Sequence, residues 1–383
     1  MTARDHPATW TALSSVLRVE PAPVEVAVDA VDWELFERVC HFHSVQALAY
    51  HGLRGAGFGP DAVAERLRPH ADRLAAATML RKRAYTGAAS TLAQAGIRPM
   101  LLKGAAMNET IYPHPGLRSM GDIDVLVRPD EVDEAEALLR ADGWTPVLTE
   151  RDAAWMRDNH RHLGTLQSPD ETLHLELHRR PLDRADPAIL EWIDDSWSRA
   201  QQTSEGLVVP DPIDQVIHLA THMLHDLRAT GRGALRRLVD VAELLRRTDE
   251  RAQRELGAVA ARAEMLEHIQ MAAAMVRTAF GPEPSTSILG DSSERRTVEA
   301  LVVRATREWD WRSVVPHRLV RATTREVRGR VIRDAMAAAR HRHDAGHAKV
   351  ADWRDVARRA RSNLTHPRRA VDEWRVPRCV PPT

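Results

Sequence analysis

The sequence predicts an α+β chain in which a small mixed sheet lies between an N-terminal helical cap and a helical C-terminal region. Three observations carry this. Apolar residues recur at helical spacing before residue 96 and again from Asp211 onward. Between residues 96 and 180 the period shortens to two, most clearly over Thr172–His178. Gly and Pro mark the changes, at Gly96, Pro113, Pro115 and Gly143. The predicted units are a helical N-terminal region at 1–95, an α/β core at 96–205 and a helical domain at 206–383.

In chain order, Trp33 to Tyr50 has helical spacing and meets a glycine-rich stretch at Gly52, Gly55, Gly57 and Gly59. Asp61 to Ala95 reads as one long helix closed by Gly96. Strands are expected at 97–102, 122–127, 144–148, 163–167 and 172–178. A short helix is expected at 105–112 and a longer one from Pro129-Asp130 to Ala141, capped by Asp130 and ended by Gly143. Further helices are expected at 211–228, 234–247, 250–279, 294–342 and 351–363, with a Pro/Gly/Ser loop at 281–293.

The composition is that of a water-soluble globular chain. Of 383 residues, 43% are apolar and 28% charged, as folded domains usually are. This length suggests two or three packed units. No run approaches the roughly 18 apolar residues of a membrane span, and the N-terminus has no apolar stretch behind its charges, so neither membrane insertion nor secretion is expected. Cys40 and Cys379 are the only cysteines and form no framework. A cytoplasmic location follows. Net charge is zero, yet residues 301–383 hold 20 Lys/Arg against 9 Asp/Glu. That excess reads first as a basic helical segment packed on an acidic body. Nucleic acid is not expected as a partner, because aromatic residues for base stacking make up only 4% of the chain.

The chemistry concentrates in residues 103–128. The apolar run Pro99-Met100-Leu101-Leu102 stops at Lys103-Gly104, where a helix can start. Backbone N–H groups at such a start, here of residues 105 and 106, suit a phosphate. After a loop, Asp122-Ile123-Asp124 opens a second apolar run, Val125-Leu126-Val127. Alternate strand residues share a face, so Asp122 and Asp124 lie together, with Ile123, Val125 and Val127 on the other side. Two adjacent carboxylates repel unless a cation sits between them, and oxygen ligands suit Mg²⁺. A phosphate cradle beside an acidic pair points to metal-assisted phosphoryl or nucleotidyl transfer.

Lys103-Gly104, Arg118 and the Asp122-x-Asp124 strand resemble the nucleotidyltransferase superfamily that includes DNA polymerase beta, and more closely the bacterial uncharacterised nucleotidyltransferase family. Leu175-Glu176-Leu177-His178 matches that family's later strand, with Glu where Asp is commoner. His218–His225 and Leu238-Val239-Asp240 are similar to its C-terminal region. Ala105 departs from the superfamily, which usually follows the turn glycine with Ser or Gly.

The resemblance implies Asp122, Asp124 and Glu176 as catalytic and metal ligands for Mg²⁺ or Mn²⁺, with Glu176 a second-metal ligand or the base for the acceptor hydroxyl. It also implies an NTP donor such as ATP, held by Lys103, Gly104, Ala105, Arg118 and His178. Lys103 and Arg118 would neutralise the triphosphate, and His178 would orient Glu176 or touch substrate. The acceptor is a small molecule, peptide or protein bearing a hydroxyl or phosphate. Two other functions are carried alongside: a same-fold transferase using a nucleotide-sugar donor on a modified peptide or natural product, and a non-catalytic, antitoxin-like binding module.

His174-x-Glu176-x-His178 and the helical set His218, His222 and His225 also have zinc-like spacing. The plainer reading is that these histidines line a packing face or the edge of the cleft. Tyr112, Trp192, Trp197, Trp309 and Trp311 read as packing residues, and the arginines of 321–333 as a solvated helix face.

Overall fold

The computed structural model describes residues 6–114, 116–183, 185–229, 234–281, 289 and 295–306. They comprise thirteen α-helices and a seven-stranded mixed sheet, so the expected α+β class is what forms. The helices expected beyond residue 306, with Trp309, Trp311 and the arginines of 321–333, lie outside the described residues. None of the described helices is long and apolar enough to cross a membrane.

Helices α1 (Pro7–Val16), α2 (Trp33–His43) and α3 (Gln46–Ala56) precede α4, which runs unbroken from Asp61 to Gln94. At 34 residues, α4 extends for roughly 50 Å. The sheet then forms from β1 (Met100–Leu101), β2 (Ile123–Leu126), β3 (Thr145–Pro146), β4 (Leu166–Gln167), β5 (His174–His178), β6 (Gln201–Gln202) and β7 (Val208–Val209). Between them run α5 (Lys103–Thr110), α6 (Val132–Ala141), α7 (Glu150–Asn159) and α8 (Pro187–Arg199). Helices α9 (Pro212–Ala229), α10 (Ala234–Arg246), α11 (Glu250–Arg262), α12 (Leu266–Phe280) and α13 (Arg295–Ala305) complete the described chain.

Strand order is β3-β4-β5-β2-β1-β7-β6. The central pair, β2 and β5, is parallel and sets Ile123 beside Leu175, Asp124 beside Glu176, Val125 beside Leu177 and Leu126 beside His178. That register separates two faces. Ile123, Val125, Leu175 and Leu177 join Tyr85, Ala88 and Leu92 of α4 and Val132, Ala135 and Leu139 of α6 in one buried cluster. Leu126, Met100 and Leu102 join the other, which α1 to α3 build together with α9, α10 and α12. Trp10 Nε1 ties the first of these helices to the last by donating to Ala279 O at 2.8 Å. Asp124, Glu176 and His178 therefore point from the sheet towards the helical layer.

Several boundaries differ from expectation. Helix α6 starts at Val132 after Glu131, with no side-chain cap, so Asp130 is not its cap. Gly143 does end it: Gly143 (φ 92°) and Trp144 donate to Arg140 O and Leu139 O, a glycine stop that needs the left-handed conformation. The helix expected over 250–279 is two helices, broken at Glu264, which takes φ 54°. Helices α7 and α8 and strands β6 and β7 were not expected at all.

Candidate active site

Burial alone would raise the Asp124 carboxyl. Two contacts reverse that. Lys103 Nζ donates to Asp124 Oδ1 at 2.5 Å, and His178 Nε2 donates to the same oxygen at 2.8 Å. With both cationic or polar partners in contact, Asp124 is held well below the usual carboxylate range. It is ionised at neutral pH even though only 2% of it is exposed.

The site is assembled by two local devices. Lys103 begins α5 at φ 45°, a left-handed conformation that side chains rarely adopt. Leu102 N–H donates to Asp124 O at 3.0 Å, which fixes the turn against β2. Gly104 follows because nothing larger fits. A methyl group there would overlap Arg118 Nη1 and lie 2.8 Å from Met120 Cγ. At the helix start the N–H of Ala106 already donates to Leu102 O at 3.3 Å, so it is not open to a phosphate as expected.

One ligand atom from each of Asp124, Glu176 and His178 lies within 4.8 Å of the other two. Glu176 Oε2 is 3.6 Å from His178 Nε2. Burial would raise Glu176, and the Asp124 charge adds to that, but the contact with His178 outweighs both, so it is lowered. Asp122 stands just before β2, outside that triple but close to it. Its carboxyl is raised, chiefly by the Asp124 charge, then by burial and Glu176, with Lys103 opposing. No Lys, Arg or His among the described residues pairs with Asp122 within ion-pair distance. Oxygen-rich and crowded, this set of carboxylates suits a divalent cation.

His178 is fully buried. Because a carboxylate can only accept, its Nε2 carries the proton towards Asp124, leaving Nδ1 without a partner. His162, which sequence reasoning missed, shows the complementary arrangement. Its Nδ1 donates to Leu163 O at 2.8 Å, so the Nε2 lone pair faces Glu176 Oε2 at 3.8 Å. Burial lowers His162, which keeps it neutral. Only its place just ahead of a strand, beside His160, could have marked it.

The structure brings together Lys103, Asp122, Asp124, Glu176 and His178, with Gly104 and Ala105 behind them. Arg118 is placed differently. All three of its guanidinium nitrogens are occupied: Nε and Nη2 by Asp240, and Nη1 by Ser119 O at 3.1 Å. Tyr112 donates to the same Asp240 carboxylate at 2.8 Å, so it packs and also hydrogen-bonds. His174 is exposed and outside the cluster, against the zinc spacing on β5. Of the helical histidines, His218 is the buried one. Burial and the charge of Lys103 push it down to about 3, and it also feels Asp124 and His178.

The family model described as uncharacterised nucleotidyltransferase matches residues 29–281, which spans the sheet, the acidic cluster and α9 to α12. No curated protein and no solved structure matches the chain.

Proposed function

The chain belongs to the uncharacterised nucleotidyltransferase family and is a transferase, and we propose that it moves an NMP group from an NTP to a hydroxyl or phosphate acceptor in a divalent-metal-dependent reaction. One observation supports this above the others. Asp124 and Glu176 sit side by side on parallel strands, within reach of Asp122 and directly behind the Lys103-Gly104 turn.

Asp122, Asp124 and Glu176 are the residues that would hold Mg²⁺ or Mn²⁺. Such an ion, when bound, supplies charge stabilisation for attacking and leaving oxygens. The protein's own groups do the rest. Glu176 accepts the proton of the acceptor hydroxyl; the freed oxygen attacks the α-phosphorus, the bond to the bridging oxygen breaks, and pyrophosphate leaves. His178 holds the Asp124 carboxylate in place through its Nε2–H. Lys103 stays on the Asp124 carboxylate and keeps it ionised.

The test is label transfer from α-labelled NTPs to candidate acceptors in Mg²⁺ or Mn²⁺. Asp124→Asn, which keeps the shape and loses the charge, abolishes transfer on this reading. Glu176→Gln lowers the rate by roughly 10²–10⁴, the usual worth of a general base. Full activity in a folded Asp124→Asn protein contradicts the proposal.

A further inference from the structure

Two of the cations expected on the donor are already matched inside the protein. Lys103 is paired with Asp124 and Arg118 with Asp240. An NTP brings about four negative charges, which need other partners. Two arginines that the sequence did not single out are placed for this.

Arg236, near the start of α10, donates from Nη1 to Ser119 Oγ at 2.5 Å, which fastens it to the loop leading into Asp122. Its Nε is shut off from solvent and has no partner. No carboxylate among the described residues lies within ion-pair distance of it. Burial, Arg118 and Arg237 push Arg236 down to about 9, while Asp240 and Asp122 oppose them. Arg81 comes from α4. Its Nη1 caps Ala77 O at 3.1 Å, its Nε is likewise buried without a partner, and Asp122 is the carboxylate that it feels. The loop between them lies on α4: a Cβ on Gly116 would be 2.6 Å from Ala75 N.

A desolvated guanidinium without an anion is costly, and it persists where an anion is to be bound. Planar donors near a carboxylate proposed to hold a cation suit a metal-bound polyphosphate. We infer that Arg236 and Arg81 form a clamp for the pyrophosphate part of the donor beside Asp122. This rests on the nucleotidyl-transfer reading for the donor's identity, but not for the anion itself.

The experiment is calorimetric titration of the full chain with tripolyphosphate in Mg²⁺, for the wild type, Arg236→Gln and Arg81→Gln. Each substitution is expected to weaken binding about tenfold or more, the usual worth of a charged hydrogen bond. Arg81→Gln guards against misfolding, since Arg81 is half-buried on a long helix and holds no other element. Arg236→Lys, which keeps the charge and loses the fork, is expected to recover only part of the affinity. Unchanged binding in folded Arg236→Gln and Arg81→Gln proteins overturns the clamp. Tripolyphosphate binding that needs both arginines, in a protein that transfers no label from any NTP, upholds the clamp and refutes the nucleotidyl-transfer reading.

Discussion

Arg118 and Asp240, 122 positions apart in the chain, form a buried forked pair: Nη2 reaches Oδ2 at 2.9 Å and Nε reaches both oxygens at 3.2 and 3.3 Å. It joins the loop before β2 to α10, and so fixes the helical layer over the acidic cluster. Removing one partner strands the other charge, at a cost of about 3–5 kcal/mol. Asp240→Ala is therefore expected to lower the unfolding free energy by that amount in urea. The double variant Arg118→Met/Asp240→Leu should recover much of it, because it leaves no charge behind.

Gly104 is required by that pair. Its backbone does not need a glycine-only conformation; its missing side chain leaves room for Arg118 Nη1 and Met120. Since Arg118 is held at all three nitrogens, it cannot swing aside cheaply. Gly104→Ala is expected to destabilise by about 1–3 kcal/mol, as overpacking does. The check is the urea midpoint. In an Arg118→Met background the penalty should shrink, and an undiminished penalty there counts against the steric account.

The sequence made some of this legible and hid the rest for definite reasons. The Asp122-x-Asp124 and Leu175-Glu176-Leu177-His178 segments alternate strictly, so their faces could be read from period alone. Their pairing could not, because register between β2 and β5 is a tertiary fact. Helix α4 was readable over its whole length, being long and regularly spaced. The break between α11 and α12 was not, since Glu264 rather than glycine takes the left-handed turn. For Lys103 and Arg118 the sequence leaves open whether each meets phosphate or forms a structural pair. Their carboxylate partners are 21 and 122 residues away, and local pattern carries no information at such distances. Arg236 and His162 were missed for the same reason.

His178 offers a test of how the cluster holds its shape. It donates to Asp124, and its other nitrogen meets nothing. Groups that orient a metal-binding carboxylate typically contribute 10–100-fold to metal affinity. His178→Gln is expected to weaken Mn²⁺ binding by about that factor in calorimetry, with less effect on overall stability than Asp240→Ala. Unaltered Mn²⁺ affinity would show that Asp124 needs no such support.

His218 makes the folded state sensitive to acid. In the native chain it is pushed down to about 3 by burial, with Lys103 adding to the effect. Unfolded, it titrates at about 6.5. Between these values the unfolded chain carries a proton there that the folded chain refuses, so stability falls as pH drops through this window. The slope from this one group is about 1.4 kcal/mol per pH unit, and it vanishes above neutrality. His218→Gln removes the group and should flatten the curve. Urea midpoints from pH 7.5 to pH 4.5 give the comparison: the variant should gain on the wild type steadily below about pH 6.5. A constant difference across the range would mean that His218 is protonated in the folded protein, and that its charge is accommodated beside Lys103.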